Sequence, residues 1–286
     1  MRAVIAVDWS DQAFNAVQVT CRLFAPKHLT IVHGVDTRPF ETSTMALPIA
    51  SQAAAQLRQS LVEAGEKLLQ QTAGLVPATM PAPETLHKFG NPADVIIDTA
   101  KDHKADLVAI GTRGRGRVAE MFLGSVSQRV VQHTQCANLI VRQDPGPIRR
   151  VVVASEGMED GHRLRDWLLL HPFAERVELV LVSVVPVPFL SDPLLASGYA
   201  SWSDHVEKAA HAHNDQMAEA LRGQFTIGEK LVLKGDPADQ IARVAENAQL
   251  VVIGTHGRKG MERFLLGSVS HAVLHHVSCP VLLIRS

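Results

Sequence analysis

The residues with the clearest chemical potential form a glycine and serine pattern that occurs twice in the chain. Gly111–Gly114 is followed after nine residues by Gly124–Ser125, and Gly254–Gly257 is followed after nine residues by Gly267–Ser268. Each copy follows an apolar run ending in Ile-Gly-Thr and precedes a segment with helical periodicity. We expect the Gly-Ser pair to open a helix, whose unsatisfied N–H groups and positive dipole end favour an anion. The sequence therefore predicts a phosphate cradle in each half.

Other interpretations of this pattern are weaker. A repeated structural turn would explain a lone Gly-x-x-Gly, but identical spacing in two copies favours a cradle. Residues 114–119 formally fit a dinucleotide fingerprint, yet they follow a fourth predicted strand rather than a first, and the second copy lacks them. Neither copy contains the Gly-Lys-Ser/Thr of a Walker A loop, and the chain has no Gly-x-Ser-x-Gly elbow. The sequence thus names no residue for hydrolase chemistry.

Histidines and cysteines are the other residues with chemical potential. His271, His275 and His276 share one predicted helix, but no cysteine or acidic residue joins them at ligand spacing. Solvent-facing histidines are therefore favoured over a metal site. Cys136 and Cys279 occupy equivalent places before the last strand of each half, where a buried small hydrophobic residue is favoured over a redox pair.

Strands and helices alternate along the whole chain, which predicts parallel, doubly wound sheets. The predicted strands are Arg2–Val7, His28–Val35, Glu84–Phe89, Leu107–Ile110 and Asn138–Arg142, then Val151–Ala154, Val177–Val185, Lys230–Leu233, Leu250–Ile253 and Val281–Ile284. The predicted helices are Asp11–Ala25, Gln52–Thr72, Ala93–His103 and Ser125–Gln132, then Gly161–Leu170, Asp204–Leu221, Ala238–Asn247 and one after Gly267. Ligands of such sheets lie beyond the carboxyl ends of the strands, near the point where strand order reverses.

Length and composition suit two globular domains. The 286 residues are 46% hydrophobic and 20% charged, and the repeats predict domains at 1–143 and 148–286, joined by a short Pro/Gly linker. A net charge of −1 gives no basic surface for nucleic acid or membrane. No apolar run has transmembrane length, no signal-peptide pattern is present, and three cysteines fit a reducing compartment. We expect a cytoplasmic protein.

The pattern Gly-x2-Gly-x9-Gly-Ser after a fourth strand resembles the nucleotide-binding signature of the universal stress protein (UspA-like) family, and two copies resemble its tandem members. The resemblance covers essentially the whole chain. It implies two five-stranded parallel α/β domains of the Rossmann-like, adenine nucleotide alpha hydrolase-like type. It also implies that the domains pair about a pseudo-twofold axis through their last strands, and that the protein is a homodimer.

The same resemblance implies an adenine-nucleotide ligand, ATP, with or without Mg²⁺. The residues that it assigns to binding are Asp8, Gly34, Gly111, Arg113, Gly114, Gly124, Ser125 and Val126 in the first half and Gly254, Gly257, Gly267, Ser268 and Val269 in the second. The arginine would assist a triphosphate. No catalytic residue is assigned.

The two halves differ at the nucleoside end of the expected site. Aligning Arg2 with Arg149 places Ser155 opposite Asp8, and Val184 opposite Gly34. In the family that the chain resembles, an aspartate after the first strand contacts the nucleoside part of the ligand. Only the first half would then keep this carboxylate, and in the second half Glu156 could take its place only if the strand end shifts. Asp8 as an ordinary turn or cap residue is the alternative. The resemblance implies a regulatory nucleotide-binding module of the stress response, with its complete site in the N-terminal half. A slow ATPase and a nucleotide-free interaction scaffold are the alternatives.

Overall fold

The computed structural model describes residues 1–36, 48–112, 123–187, 193–255 and 266–285. The chain divides into two compact units, Met1–Asp144 and Pro145–Ser286. The division falls at the predicted Pro/Gly linker. The described residues form ten strands and eight helices, five strands and four helices in each unit.

Unit 1 alternates strands and helices in the predicted order. Its elements are β1 Arg2–Ala6, α1 Asp11–Phe24, β2 His28–Val35, α2 Pro48–Ala73, β3 Glu84–Phe89, α3 Pro92–Asp102, β4 Leu107–Gly111, α4 Ser125–His133 and β5 Ala137–Val141. All neighbouring strands are parallel, and their order is β3-β2-β1-β4-β5. The chain therefore leaves β1 toward β2 on one side and returns to β4 on the other, so strand order reverses next to β1.

Capping residues explain where the helices of unit 1 begin. The Ser10 hydroxyl accepts a hydrogen bond from the Ala13 N–H at the start of α1, over 3.2 Å. The Asn91 side chain accepts one from the Ala93 N–H at the start of α3, over 3.0 Å, and Pro92 supplies a first helical residue with a preset φ. Both starts were predicted from these residue types to within one position.

Unit 2 repeats this order. Its elements are β6 Arg150–Ala154, α5 Gly157–Leu170, β7 Glu178–Val185, α6 Pro193–Leu221, β8 Thr226–Lys234, α7 Pro237–Ala245, β9 Leu250–Gly254, α8 Ser268–His276 and β10 Val281–Ile284. The strands are again parallel, in the order β8-β7-β6-β9-β10. The predicted fold class, doubly wound five-stranded parallel sheets, is confirmed for both units.

The central strands form the core of each unit. The strands β4, β5, β9 and β10 are buried at every residue, because helices cover both faces of a parallel sheet. Four elements begin four or more residues before their predicted starts, namely α2, α5, α6 and β8. None of the described helices is both long and apolar enough to cross a membrane.

The cysteines Cys21 and Cys279 are buried, and Cys136 is half-buried. Burial raises the pKa of the Cys21 and Cys279 thiols to about 11, so both are protonated at neutral pH. No disulfide joins them. This environment agrees with the predicted role of Cys279 as a small buried residue.

Candidate functional site

The reversal of strand order brings together several of the predicted binding residues in unit 1. Ala6 in β1 lies beside one residue of β2 and one of β4 in the parallel register. Asp8 and Gly34 each come two residues after this row, and Gly111 comes one residue after it. Since parallel strands end at the same edge of a sheet, these three residues share the carboxyl edge on which such folds bind ligands.

Two hydrogen bonds hold the start of α4 beside the end of β4. The Gly124 N–H donates to the Thr112 carbonyl over 2.8 Å, so the cap residue of α4 lies beside the residue that follows β4. The Ser127 hydroxyl donates to the Gly111 carbonyl over 2.8 Å and fastens the first turn of α4 to the strand. The end of β4 and the start of α4 therefore lie side by side.

The start of α4 lacks the side-chain cap that α1 and α3 have. Its cap residue is Gly124, which has an extended backbone (φ −63°, ψ 155°) and no side chain to accept from the first turn. No described residue accepts a hydrogen bond from the N–H groups of Ser125 and Val126, the first two helical residues. Two N–H donors and the positive end of the helix dipole are thus available to an anion.

Unit 2 reproduces this geometry. The Gly267 N–H donates to the Thr255 carbonyl over 2.7 Å, and the Ser270 hydroxyl donates to the Gly254 carbonyl over 2.6 Å. Gly267 caps α8 with φ −60° and ψ 151°, again without a side-chain acceptor. The two cradles therefore have the same backbone and the same anchoring bonds.

The remaining predicted residues fall into two groups. Ser268 and Val269 open α8 as Ser125 and Val126 open α4. The predicted residues Arg113, Gly114 and Gly257 lie outside the described residues.

Two of the predicted glycines are needed for packing. A Cβ at Gly111 would lie 2.8 Å from the Cβ of Gln12, and one at Gly34 would lie 3.0 Å from the Cα of Pro92. Both distances are shorter than normal carbon–carbon contacts, so helices α1 and α3 approach the sheet closely only because these positions have no side chain. Their contact with a ligand stays a prediction.

Asp8 has a local structural role as well. Its Oδ1 accepts hydrogen bonds from the Ser10 N–H, over 3.0 Å, and from the Ser10 hydroxyl, which in turn caps α1. The turn residue that was the alternative prediction for Asp8 is therefore present. The same bonds hold the carboxylate in one orientation at the ligand edge, and no described hydrogen bond involves its Oδ2.

The predicted alignment of Ser155 with Asp8 is wrong by one residue. Ser155 donates its N–H to β7 over 3.0 Å, as Val7 donates to β2 over 2.9 Å, so Ser155 corresponds to Val7. Glu156 is then the structural counterpart of Asp8. The cause of the wrong alignment is a pair of arginines, Arg149 and Arg150, where unit 1 has one. The strand β6 begins at the second arginine, Arg150, just as β1 begins at Arg2. Unit 2 consequently keeps a carboxyl residue at this position, and Glu156 is exposed.

Ser155 belongs instead to the interior of unit 2. Its hydroxyl lies 3.1 Å from Nε2 of His213, a residue of α6 that is only 3% exposed. Burial, and then the nearby His162 and Arg165, lower the pKa of His213, so its ring is neutral at pH 7. Nδ1 of His213 is buried and has no hydrogen-bond partner in the described structure. A serine and a histidine are therefore paired without the carboxylate that would complete a Ser-His-Asp triad.

A second buried polar residue lies beside the end of β9. Asp160 is 5% exposed, and its Oδ2 accepts from the Glu156 N–H over 2.9 Å. Its Oδ1 packs on Gly254 and has no hydrogen-bond partner among the described residues. The guanidinium of Arg163 lies 3.9 Å from this oxygen. Burial raises the pKa of Asp160 above its ordinary value. In unit 1 Gln12 occupies the equivalent place, since a Cβ at Gly111 would lie 2.8 Å from the Cβ of Gln12.

Several residues of the site carried no predicted role. They are the threonine and serine pairs that anchor the helix starts, Thr112 with Ser127 and Thr255 with Ser270. The anchors had a signal in the sequence, because Ile-Gly-Thr and Gly-Ser-Val-Ser recur in both halves. No group of three or more potential metal ligands occurs within the described ranges.

Comparisons with known proteins identify the family. A profile described as the universal stress protein family matches residues 1–142 and again residues 147–285. A universal stress protein of Mycobacterium bovis is 27% identical over 216 residues, which cover 69% of this chain and 67% of that protein. One of Mycobacterium tuberculosis is 28% identical over 229 residues, which cover 71% of this chain and 69% of that protein.

A solved structure shows the same fold along nearly the whole chain. The crystal structure of a universal stress protein from Archaeoglobus fulgidus matches with a TM-score of 0.66 at 17% identity and covers 99% of this chain and 96% of its own. The repeated motif, the two five-stranded units and the double profile match agree with one another. This chain belongs to the universal stress protein family and carries two copies of its domain in tandem.

Proposed function

We propose that this protein is an adenine-nucleotide-binding regulatory module whose ligand is ATP, bound at the carboxyl edge of each sheet. The observation that carries the proposal is the pair of uncapped helix starts at Gly124 and Gly267. Each presents two N–H donors, and a backbone hydrogen bond from the cap glycine holds each helix start beside the end of the fourth strand of its unit. Phosphate is the biological anion that such a helix end suits best.

The carboxyl residues supply the other half of the recognition. Asp8 and Glu156 follow the central strand of their units, on the same edge as the cradle, and a carboxylate there accepts hydrogen bonds from ribose hydroxyls or the adenine amino group. Phosphate donors at one end and a carboxylate at the other suit a nucleotide better than a free phosphate. The family resemblance supports adenine as the base.

We expect the N-terminal site to bind more tightly. Asp8 is oriented by two hydrogen bonds from Ser10, whereas Glu156 is longer and exposed, so its ordering on binding costs more conformational entropy. Gly34 lets α3 approach β2 closely, whereas unit 2 has Val184 at this position. The difference favours the first site, although both sites keep a carboxyl residue. We further propose that the protein is located in the cytoplasm, forms a homodimer and regulates the stress response.

Calorimetric titration of the purified, nucleotide-free chain with ATP tests this proposal. Wild type should bind about two ATP molecules per chain with unequal affinities, and the Gly124→Val/Gly267→Val double variant should bind none. Mass spectrometry of ligand released from freshly purified protein should find an adenine nucleotide. Absence of heat with wild type and absence of released nucleotide would leave the interaction scaffold as the function.

A further inference from the structure

Helix α8 carries two imidazoles whose nitrogen atoms converge. His271 and His275 are separated by four residues, which places them one turn apart on the same face of the helix. Their Nε2 atoms lie 3.4 Å apart, and their ring centroids lie 4.5 Å apart with an angle of 54° between the planes. His271 is exposed and His275 half-buried, so solvent reaches the pair.

The distance between the two Nε2 atoms matches the distance between two nitrogen ligands bound to the same metal ion. Zinc binds imidazole nitrogen at about 2.0–2.1 Å with tetrahedral geometry, which places two such nitrogens about 3.3–3.4 Å apart. We propose that His271 and His275 form a binding site for a divalent transition-metal ion of the Zn²⁺ type, with both Nε2 atoms as ligands and water completing the coordination. The site needs no nucleotide and is independent of the proposed function.

The chemistry of the pair selects the class of metal. Neutral imidazole favours Zn²⁺, Ni²⁺ and Cu²⁺, whereas Mg²⁺ and Ca²⁺ take oxygen ligands. His276, the next residue, faces Asp239 on α7 at 4.0 Å and is not part of the pair.

Unit 1 contains a natural counterpart without the imidazoles. Counted from the shared Gly-Ser pair, Gln128 and Gln132 of α4 occupy the positions of His271 and His275. Each glutamine has the same degree of exposure as the corresponding histidine, and α4 and α8 have the same length. A side-chain amide is a poor ligand for these metals. Replacing the two histidines by glutamine should therefore remove the site from α8, and replacing the two glutamines by histidine should create it on α4.

Calorimetric titration of the nucleotide-free full chain with ZnCl₂ and with NiCl₂ tests the proposal. The His271→Gln/His275→Gln double variant should lose one binding event or bind at least about tenfold more weakly, since even changes outside the ligand set cost about 10–100-fold in metal affinity. His276→Gln should titrate like wild type. Gln128→His/Gln132→His should gain one binding event. Circular dichroism checks that each variant is folded.

A direct readout separates metal binding from a plain hydrogen bond between the rings. Zn²⁺ should shift the imidazole proton resonances of His271 and His275 at substoichiometric addition, and Mg²⁺ at the same concentration should leave them unchanged. Identical titrations of wild type and the double variant would overturn the proposal. The His–His contact would then be a hydrogen bond between the two imidazole rings.

Discussion

The two units differ far more at the nucleoside edge than at the phosphate cradle. The cap glycines Gly124 and Gly267 agree within 4° in φ and ψ, and the bonds that anchor them join equivalent atoms. The turns after the first strand have diverged: in unit 1 Ser10 orients the carboxylate of Asp8, and in unit 2 no described contact holds that of Glu156. Backbone donors need only glycine and a helix start, so they tolerate change around them, whereas a side-chain contact depends on each neighbouring residue.

The interiors next to these turns differ as well. Ser155 in unit 2 stands where unit 1 has the apolar Val7, and the buried acid Asp160 stands where unit 1 has the half-buried amide Gln12. Buried polar groups that lack full hydrogen bonding lower stability, so Asp160 and His213 carry a stability cost in this part of unit 2. The comparison teaches that the duplicated cradle was kept while the support beneath one copy changed.

The largest expected effect comes from closing one cradle at a time. Gly124→Val should lower ATP affinity of the N-terminal site by at least about 100-fold, because a branched side chain at the cap position lies over the N–H groups of the first turn. Gly267→Val should do the same to the C-terminal site alone. Calorimetric titration of each variant at fixed salt and Mg²⁺ isolates the other site.

Those titrations also test the independence of the two units. Loss of both binding events in either single variant would break the comparison, because it would mean that the units bind cooperatively. Loss of affinity caused only by Gly267→Val would place the working site in unit 2.

A smaller effect should follow from neutralising the two carboxyl residues. Asp8→Asn keeps an oxygen acceptor for Ser10 but removes the charge, and a hydrogen bond to a charged group is worth about 1.5–3 kcal/mol. ATP affinity of the first site should fall by roughly 10- to 150-fold. Glu156→Gln, the matched change in unit 2, should alter its site by less than about threefold, since an exposed side chain gains little from the contact. Equal losses from the two variants would show that Glu156 is as well placed as Asp8.

The smallest effect should be a change in stability at Asp160. Because burial raises its pKa above the ordinary value of 3.8, the folded state retains the proton more strongly than the unfolded state. The stabilisation from this group is therefore complete below pH 3.8 and is lost as pH rises through the raised pKa. Asp160→Asn should have little effect near pH 3.5 and should stabilise unit 2 by about 1–2 kcal/mol at pH 7.

Hydrogen exchange of the β9 amides in the full chain measures this stability for unit 2 separately. Gln12→Asp in unit 1 is the reciprocal change and should destabilise that unit at pH 7. A stability difference between Asp160→Asn and wild type that does not grow with pH would contradict the assignment of a buried, ionisable Asp160.

Most of the architecture was predictable because its signals are local. Apolar runs marked the central strands, and Ser10 and Asn91 marked helix starts through the hydrogen bonds that their side chains accept. Starts without such a residue were placed less well: α5 has Glu156 at its cap position with no side-chain bond, and it begins four residues before the predicted start. The failure has a physical cause, since a helix end without a cap is fixed by packing rather than by its own residues.

The sequence by itself determined the duplication, the α/β fold of each unit and the two Gly-Ser helix starts, because spacing and periodicity are properties of neighbouring residues. Tertiary structure alone decided that Glu156 rather than Ser155 corresponds to Asp8, and that Ser155 pairs with His213. Those facts depend on hydrogen-bond register between strands and on packing between helices, which join residues far apart in the chain. In a strand a slip of one residue turns each side chain to the opposite face, so a single extra arginine was enough to mislead the alignment.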